Sequence, residues 1–159
     1  MKEYIFSDTQ WLPVNAATAW AFFSSAKNLS RITPPELDFK ILSGAVDDDI
    51  FEGMCIDYTV KPLFGIKVHW QTMIMQVNKP VQFMDRQVKG PYKKWEHTHT
   101  FTEENGSTNM HDEVRYALPF GILGEAMHAF IVQKKIKEIF AYRKKILNEI
   151  FTNHGTIRH

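Results

Sequence analysis

The sequence predicts an α+β fold: a curved, seven-stranded antiparallel sheet wrapped around one long C-terminal helix, with two short helices after the first strand. Three observations carry that expectation. Between Leu37 and Leu118, segments rich in Val, Ile, Thr and aromatic residues recur with separators too short for helical crossovers, so neighbouring strands should pair antiparallel. After Pro119-Phe120-Gly121 the apolar period changes from two to helical spacing and keeps it almost to the C-terminus. A sheet whose apolar face is covered chiefly by one helix must curl around it, and the space left by such a curl is a cavity.

The first strand is read over 3–11, ending near Pro13. Asn15 supplies an N-cap for a helix from Ala16 to Ser24, and a second short helix over 27–32 must stop before Pro34-Pro35. Strands follow near 37–43, 54–61, 66–77, 81–88, 94–103 and 108–118. Asp47-Asp48-Asp49, Pro62-Leu63-Phe64-Gly65, Asn78-Lys79-Pro80, Gly90-Pro91 and Asn105-Gly106 separate them with turn chemistry. Ala129, Val132, Ile136, Ile139, Phe140, Leu147 and Ile150 then mark the inner side of one amphipathic helix of about thirty residues, roughly 45 Å long. Its Lys-rich opposite side reads as a solvated face. The whole chain, 1–159, is read as a single domain whose final few residues form a loose tail.

Composition narrows the function classes. Hydrophobic residues make up 44% and charged residues 23%, which fits a globular domain. A formal charge of +1 gives no reason to expect nucleic acid. No segment approaches the ~20 apolar residues of a membrane span, so no stable membrane insertion is expected, and the N-terminus lacks a signal-peptide pattern; a cytoplasmic protein is the expectation. The single cysteine, Cys55, excludes an internal disulfide framework and is read as core packing. Aromatic residues reach 13%, enough ring area to fill a core or to line a cavity. Oligomeric state leaves no mark in the sequence.

The strongest local signal is Asn105-Gly106, a two-residue type I′ hairpin turn that sets the register of its strands. Counting outward, Phe101 pairs with Met110, His99 with Asp112, His97 with Val114 and Trp95 with Tyr116. Alternation places all of these on one face. Glu96 and Arg115 lie opposite each other on the other face, where they suggest a surface ion pair. Phe83, Asp85 and Gln87 join the inner face if the Gly90-Pro91 loop has an odd length. An inner face holding two histidines and an aspartate calls for pairing, because buried polar groups are costly alone. A His99–Asp112 pair either pins the register or forms the polar end of an apolar pocket.

His97-x-His99 also invites a metal reading. The surrounding glycines and the later helix do not fit a cupin pattern, and no metal site is assigned. Phosphate-loop, dinucleotide, Gly-x-Ser-x-Gly and His-Glu-x-x-His motifs are absent, so no cofactor is expected. Met73, Met75, Met84, Met110 and Met127 would serve either as core filler or as an adaptable pocket wall.

Several stretches then resemble the SRPBCC superfamily, also called START-like or Bet v 1-like, in its bacterial polyketide cyclase/ligand-binding branch. They are Phe83-Met84-Asp85-Arg86-Gln87 with Gly90-Pro91-Tyr92, Trp95-Glu96-His97-Thr98-His99-Thr100-Phe101, Met110 to Gly121, and Ile139-Phe140-Ala141-Tyr142-Arg143. The resemblance implies a helix-grip fold with a deep hydrophobic cavity between sheet and last helix. It also implies an apolar small-molecule ligand (lipid, polyketide or similar). The candidate ligand-binding residues are Trp70, Phe83, Asp85, Gln87, Trp95, His97, His99, Phe101, Met110, Asp112, Tyr116 and Phe140. The alternative is a cyclase or dehydratase using His99 and Asp112 as its acid–base pair, with His97 or Tyr116 stabilising an oxyanion. A protein-interaction domain is a third reading.

Overall fold

A computed structural model describes residues 1–44 and 49–154, without the side chains of Ala129 and His154. The Asp47-Asp48 part of one separator, the Ala129 side chain and the expected tail therefore lie outside the described residues.

Strand β1 spans Tyr4–Leu12 and is followed by helices α1 (Ala16–Phe23) and α2 (Ala26–Arg31). Asn15 caps α1 as its chemistry demands, its Oδ1 accepting the Thr18 N–H at 2.8 Å. Pro34-Pro35 leads into a single 3-10 turn at Pro35–Leu37, so the next strand, β2 (Lys40–Ser43), starts later than its apolar pattern suggested. Then come β3 (Cys55–Val60), β4 (Val68–Asn78), β5 (Gln82–Lys89), β6 (Lys94–Glu104) and β7 (Ser107–Ala117). They form one antiparallel sheet in the order β1-β7-β6-β5-β4-β3-β2.

Asn105 and Gly106 both adopt positive φ, 52° and 76°, as a type I′ turn requires. The register that follows is the one counted from sequence, from Glu104 opposite Ser107 out to Trp95 opposite Tyr116. Between β4 and β5 the pairing shifts twice, at Gln71/Thr72 and at Met75/Asn78, and Gln76 sits at φ 54°. Such bulges bend a sheet and increase its twist, which lets this one curl over the C-terminal helix.

That helix is continuous from Gly121 to His154, but not uniform. It comprises α3 (Gly121–Met127), a π-helical turn at His128–Val132 and α4 (Gln133–His154), where the periodicity implied one regular helix. Gly124 is required near its start, because a Cβ there would run into the carbonyl oxygen of Pro119. Helix α4 is tied to the edge strand β1. Gln10 Nε2 donates to the Lys144 carbonyl and to Asn148 Oδ1, both at 2.9 Å, and Lys144 reaches Asp8 at 3.0 Å.

The core lies on the concave face, in parts. Under one end, Trp20 of α1 packs edge-on against Phe83 and Phe101, while Leu147 and Phe151 of α4 fill the adjoining space. At the other end Val114, Tyr116, Val132, Ile136 and Phe140 form a second cluster. Trp70, Val60 and Leu37 close the side near β3 and β4.

Two expectations fail here. Cys55 is exposed, because the alternation that buries Met54 and Ile56 turns the residue between them outward. Glu96 and Arg115 do face each other in register but do not pair. Arg86 on the opposite neighbour β5 reaches Glu96 at 3.0 Å, and Arg115 turns along its own strand to Glu113 at 2.6 Å.

Candidate functional site

Between the concave face of the sheet and α4 lies a cavity of about 200 Å³. Its apolar wall comes from α2, from β3 and β4 (Ile56, Val60, Trp70, Ile74), from Phe83, and from Ile136, Ile139 and Phe140 of the C-terminal helix. Asp85, His97, His99 and Arg143 give the same cavity a polar wall.

The pairing of β5, β6 and β7 builds that wall. Phe83 lies opposite His99 and Asp85 opposite His97, so the undetermined loop parity resolves with β5 contributing its inner residues. Asp112 on β7 lies opposite His99. The hydrogen bonds, however, run diagonally across this register. His97 Nε2 donates to Asp112 Oδ1 at 2.8 Å, and His99 Nε2 donates to Asp85 Oδ2 at 3.0 Å, since an ionised carboxylate can only accept. The expected His99–Asp112 contact exists at 2.9 Å through Nδ1, but without hydrogen-bond geometry, so that buried nitrogen has no hydrogen-bond partner. The remaining pairing, His97 Nδ1 to Asp85, is longer at 3.5 Å. The two imidazole rings lie 3.9 Å apart, and the His99 ring stacks on Phe83 at 4.3 Å.

The environment divides the protonation states. Burial pushes against ionisation of Asp112, but the Arg143 charge, the donating His97 and the adjacent His99 hold its carboxyl well below the usual range. Asp85 is lowered in the same way, burial being outweighed by His97 and His99. For His97, burial and the neighbouring His99 charge win and depress the imidazole. For His99, burial also opposes the charge, but Asp112 and Asp85 together raise its pKa. The two carboxylates therefore favour the charged form at His99, while burial and the His99 charge disfavour it at His97. Of the nearby phenols, Tyr58 and Tyr92 are pushed up by burial, and Tyr58 contacts the Thr72 hydroxyl at 3.3 Å.

Arg143 carries the polar signal that sequence reasoning missed. It is 7% exposed on α4, in line with Ile136, Phe140, Leu147 and Phe151 on the buried stripe of the helix. Its guanidinium lies 5.5 Å from the ring centres of both Phe23 and Phe140.

Seven of the twelve candidate residues border the cavity: Trp70, Phe83, Asp85, Trp95, His97, His99 and Phe140. Five do not. Phe101 and Met110 are packed into the core beneath α1, and Asp112 stands behind the histidines. Gln87 binds the backbone of Tyr92 through both ends of its amide, at 2.7 and 3.2 Å, and thereby fixes the β5–β6 connection. Tyr116 does not border the cavity: its hydroxyl is turned to His128, 2.8 Å from the Nε2, and burial pushes its phenol up to about 12. None of the five methionines borders this cavity; Met127 borders a smaller one near Pro119.

Asp85, His97 and His99 offer donor atoms within 4.8 Å of one another, a set that could hold a divalent cation. Both imidazole Nε2 atoms are already committed to carboxylates, and Arg143 borders the same space, which opposes a cation.

No family model and no curated protein sequence matches the chain. Solved structures do. A START superfamily protein from Mycobacterium smegmatis is 16% identical, with 94% of this chain and 97% of that one covered and a TM-score of 0.69. Thalictrum flavumn norcoclaurine synthase, solved as a point mutant with a transition-state analogue, is 13% identical over 93% and 96% of the two chains, with a TM-score of 0.65. The di-domain ARO/CYC BexL from the BE-7585A biosynthetic pathway is 13% identical; 99% of this chain covers 51% of that one, with a TM-score of 0.68. Among the described residues no helix is long and apolar enough to cross a membrane. Element order, sheet topology and these likenesses agree that the chain has the START-like helix-grip fold, the fold shared by Bet v 1-like proteins and polyketide aromatase/cyclases.

Proposed function

We propose that the protein reversibly binds a compact apolar or aromatic small molecule in the cavity between sheet and α4, with the polar wall setting its orientation. One observation carries this reading. Asp85, His97, His99 and Arg143 border a space that the core leaves unfilled, where a core built only for stability would have closed. Perturbed titratable groups on one wall of an apolar cavity are the ordinary signature of a ligand site. The neighbouring folds lend support, one of them holding a transition-state analogue. Neither a cofactor nor nucleic acid enters this reading. Native mass spectrometry of protein purified from its own cells should show a reproducible small-molecule adduct that is lost on denaturation. A consistently bare mass would contradict the proposal.

His99 favours a second reading as an enzyme of the cyclase or dehydratase type. It borders the cavity, its pKa is raised, and Asp85 and Asp112 hold it, the arrangement a general acid needs. Under that reading His99→Ala abolishes turnover of an enolisable aromatic ketone while changing its affinity only modestly. No turnover by the wild type, with His99→Ala altering affinity alone, would leave binding as the whole function.

A further inference from the structure

We propose that Arg143 anchors a carboxylate of the ligand, so that the natural ligand is an aromatic or apolar organic acid rather than a neutral molecule. This rests on the cavity being a ligand site. Arg143 is buried to more than nine-tenths, borders the cavity, and makes no hydrogen bond or ion pair with any described residue. Its Nε is buried without a partner. A buried guanidinium without a direct acceptor is costly even where carboxylates act on it at longer range.

The protein's own carboxylates do not answer it directly. Asp112 is engaged by His97 and Asp85 by His99, each at hydrogen-bond distance. They attract Arg143 only at longer range. Phe23 and Phe140 hold the guanidinium from α1 and α4, each at 5.5 Å, leaving its planar fork no protein acceptor. A carboxylate matches that fork with two parallel hydrogen bonds. Trp70, whose indole N–H is also buried and unpartnered, is a further residue of the same cavity wall. The rest of the wall is chiefly apolar, with Lys135 a further cation on it, and the volume is near 200 Å³, so the acid group belongs to a small ring system or a short apolar chain.

Naphthalene-2-carboxylate and naphthalene-2-carboxamide, titrated calorimetrically at pH 7, test this with probes of one shape and two charges. The wild type should bind the acid at least about tenfold more tightly than the amide, a ratio in keeping with charge-assisted bidentate bonding. Arg143→Gln should bring the ratio of acid to amide affinity to within about threefold of one, while Arg143→Lys should keep part of the preference. The Arg143 Nε–H resonance of the unmodified protein should shift with the acid and not with the amide, a readout that does not depend on any variant folding. Equal binding of acid and amide, or a preference that leaves the Nε–H resonance unmoved, overturns the anchor while the cavity reading stands. Binding of neither probe overturns both.

Discussion

Replacing Asp112 by alanine is expected to lower the thermal midpoint at pH 7 by about 6–20 °C, the equivalent of roughly 3–5 kcal/mol in a domain of this size. The size of the effect follows from what the carboxylate holds together. Asp112 takes a hydrogen bond from His97, touches His99 at 2.9 Å, and offsets the unpaired charge of Arg143. Its removal leaves His99 and the Arg143 guanidinium buried with Asp85 as the one near carboxylate among the described residues. The pH dependence has a definite sign. Asp112 has a lowered pKa, so its stability is present above the usual 3.8 and is lost as pH falls through the folded value. His99 has a raised pKa, so its share is fully present below 6.5 and is lost as pH rises through the folded value. Without Asp112 that raised pKa falls, and His97, already depressed, falls further. The cost of the substitution should therefore be larger at pH 6 than at pH 9. Melting curves at the two pH values check it; a uniform loss, or one no larger than a surface substitution gives, would remove Asp112 from the account.

Val60→Phe should weaken binding of a neutral aromatic probe at least tenfold while leaving the thermal midpoint within about 3 °C of the wild type. Val60 points inward from β3 into the cavity and is 7% exposed. In a filled core the added ring would overpack and cost about 1–3 kcal/mol. In a cavity it occupies space that a ligand would otherwise take, at little cost to folding. Calorimetry and melting together separate the cases. Lost stability with unchanged binding would mean that the space is not where ligands go.

Much of this arrangement could be read from the chain because it rests on local rules. Asn105-Gly106 determined a register of eleven pairs without any other knowledge, and the alternation of β6 and β7 then placed His97, His99 and Asp112 on the inner face. What escaped depended on distance and direction rather than order. Register says which residues lie opposite, but an imidazole reaches diagonally as easily as straight across; hence His97, not His99, donates the hydrogen bond to Asp112. Sharing the inner face did not mean bordering the cavity, because α1 covers Phe101 and Met110 while His128, from the π-helical turn, draws away Tyr116. Arg143 left a signal that went unread. The apolar stripe runs Ile136, Phe140, Leu147, and the missing step between Phe140 and Leu147 is the arginine. A cation at the one stripe position that should be apolar marks where the helix faces something other than core. The exposed Cys55 teaches the converse, since a small apolar residue between two buried ones belongs to the outer face whatever its type.

The four tryptophans report on the cavity directly. Trp70 and Trp95 border it, Trp20 is buried in the core beside it, and Trp11 lies 50% exposed on β1. When uniformly labelled protein is titrated with 2-naphthol, the indole N–H resonances of Trp70 and Trp95 should move together along one saturable curve while that of Trp11 stays in place. If Trp11 moves as far as the other two, or if Trp70 and Trp95 remain unmoved at saturating probe, the cavity between sheet and α4 is not a ligand site.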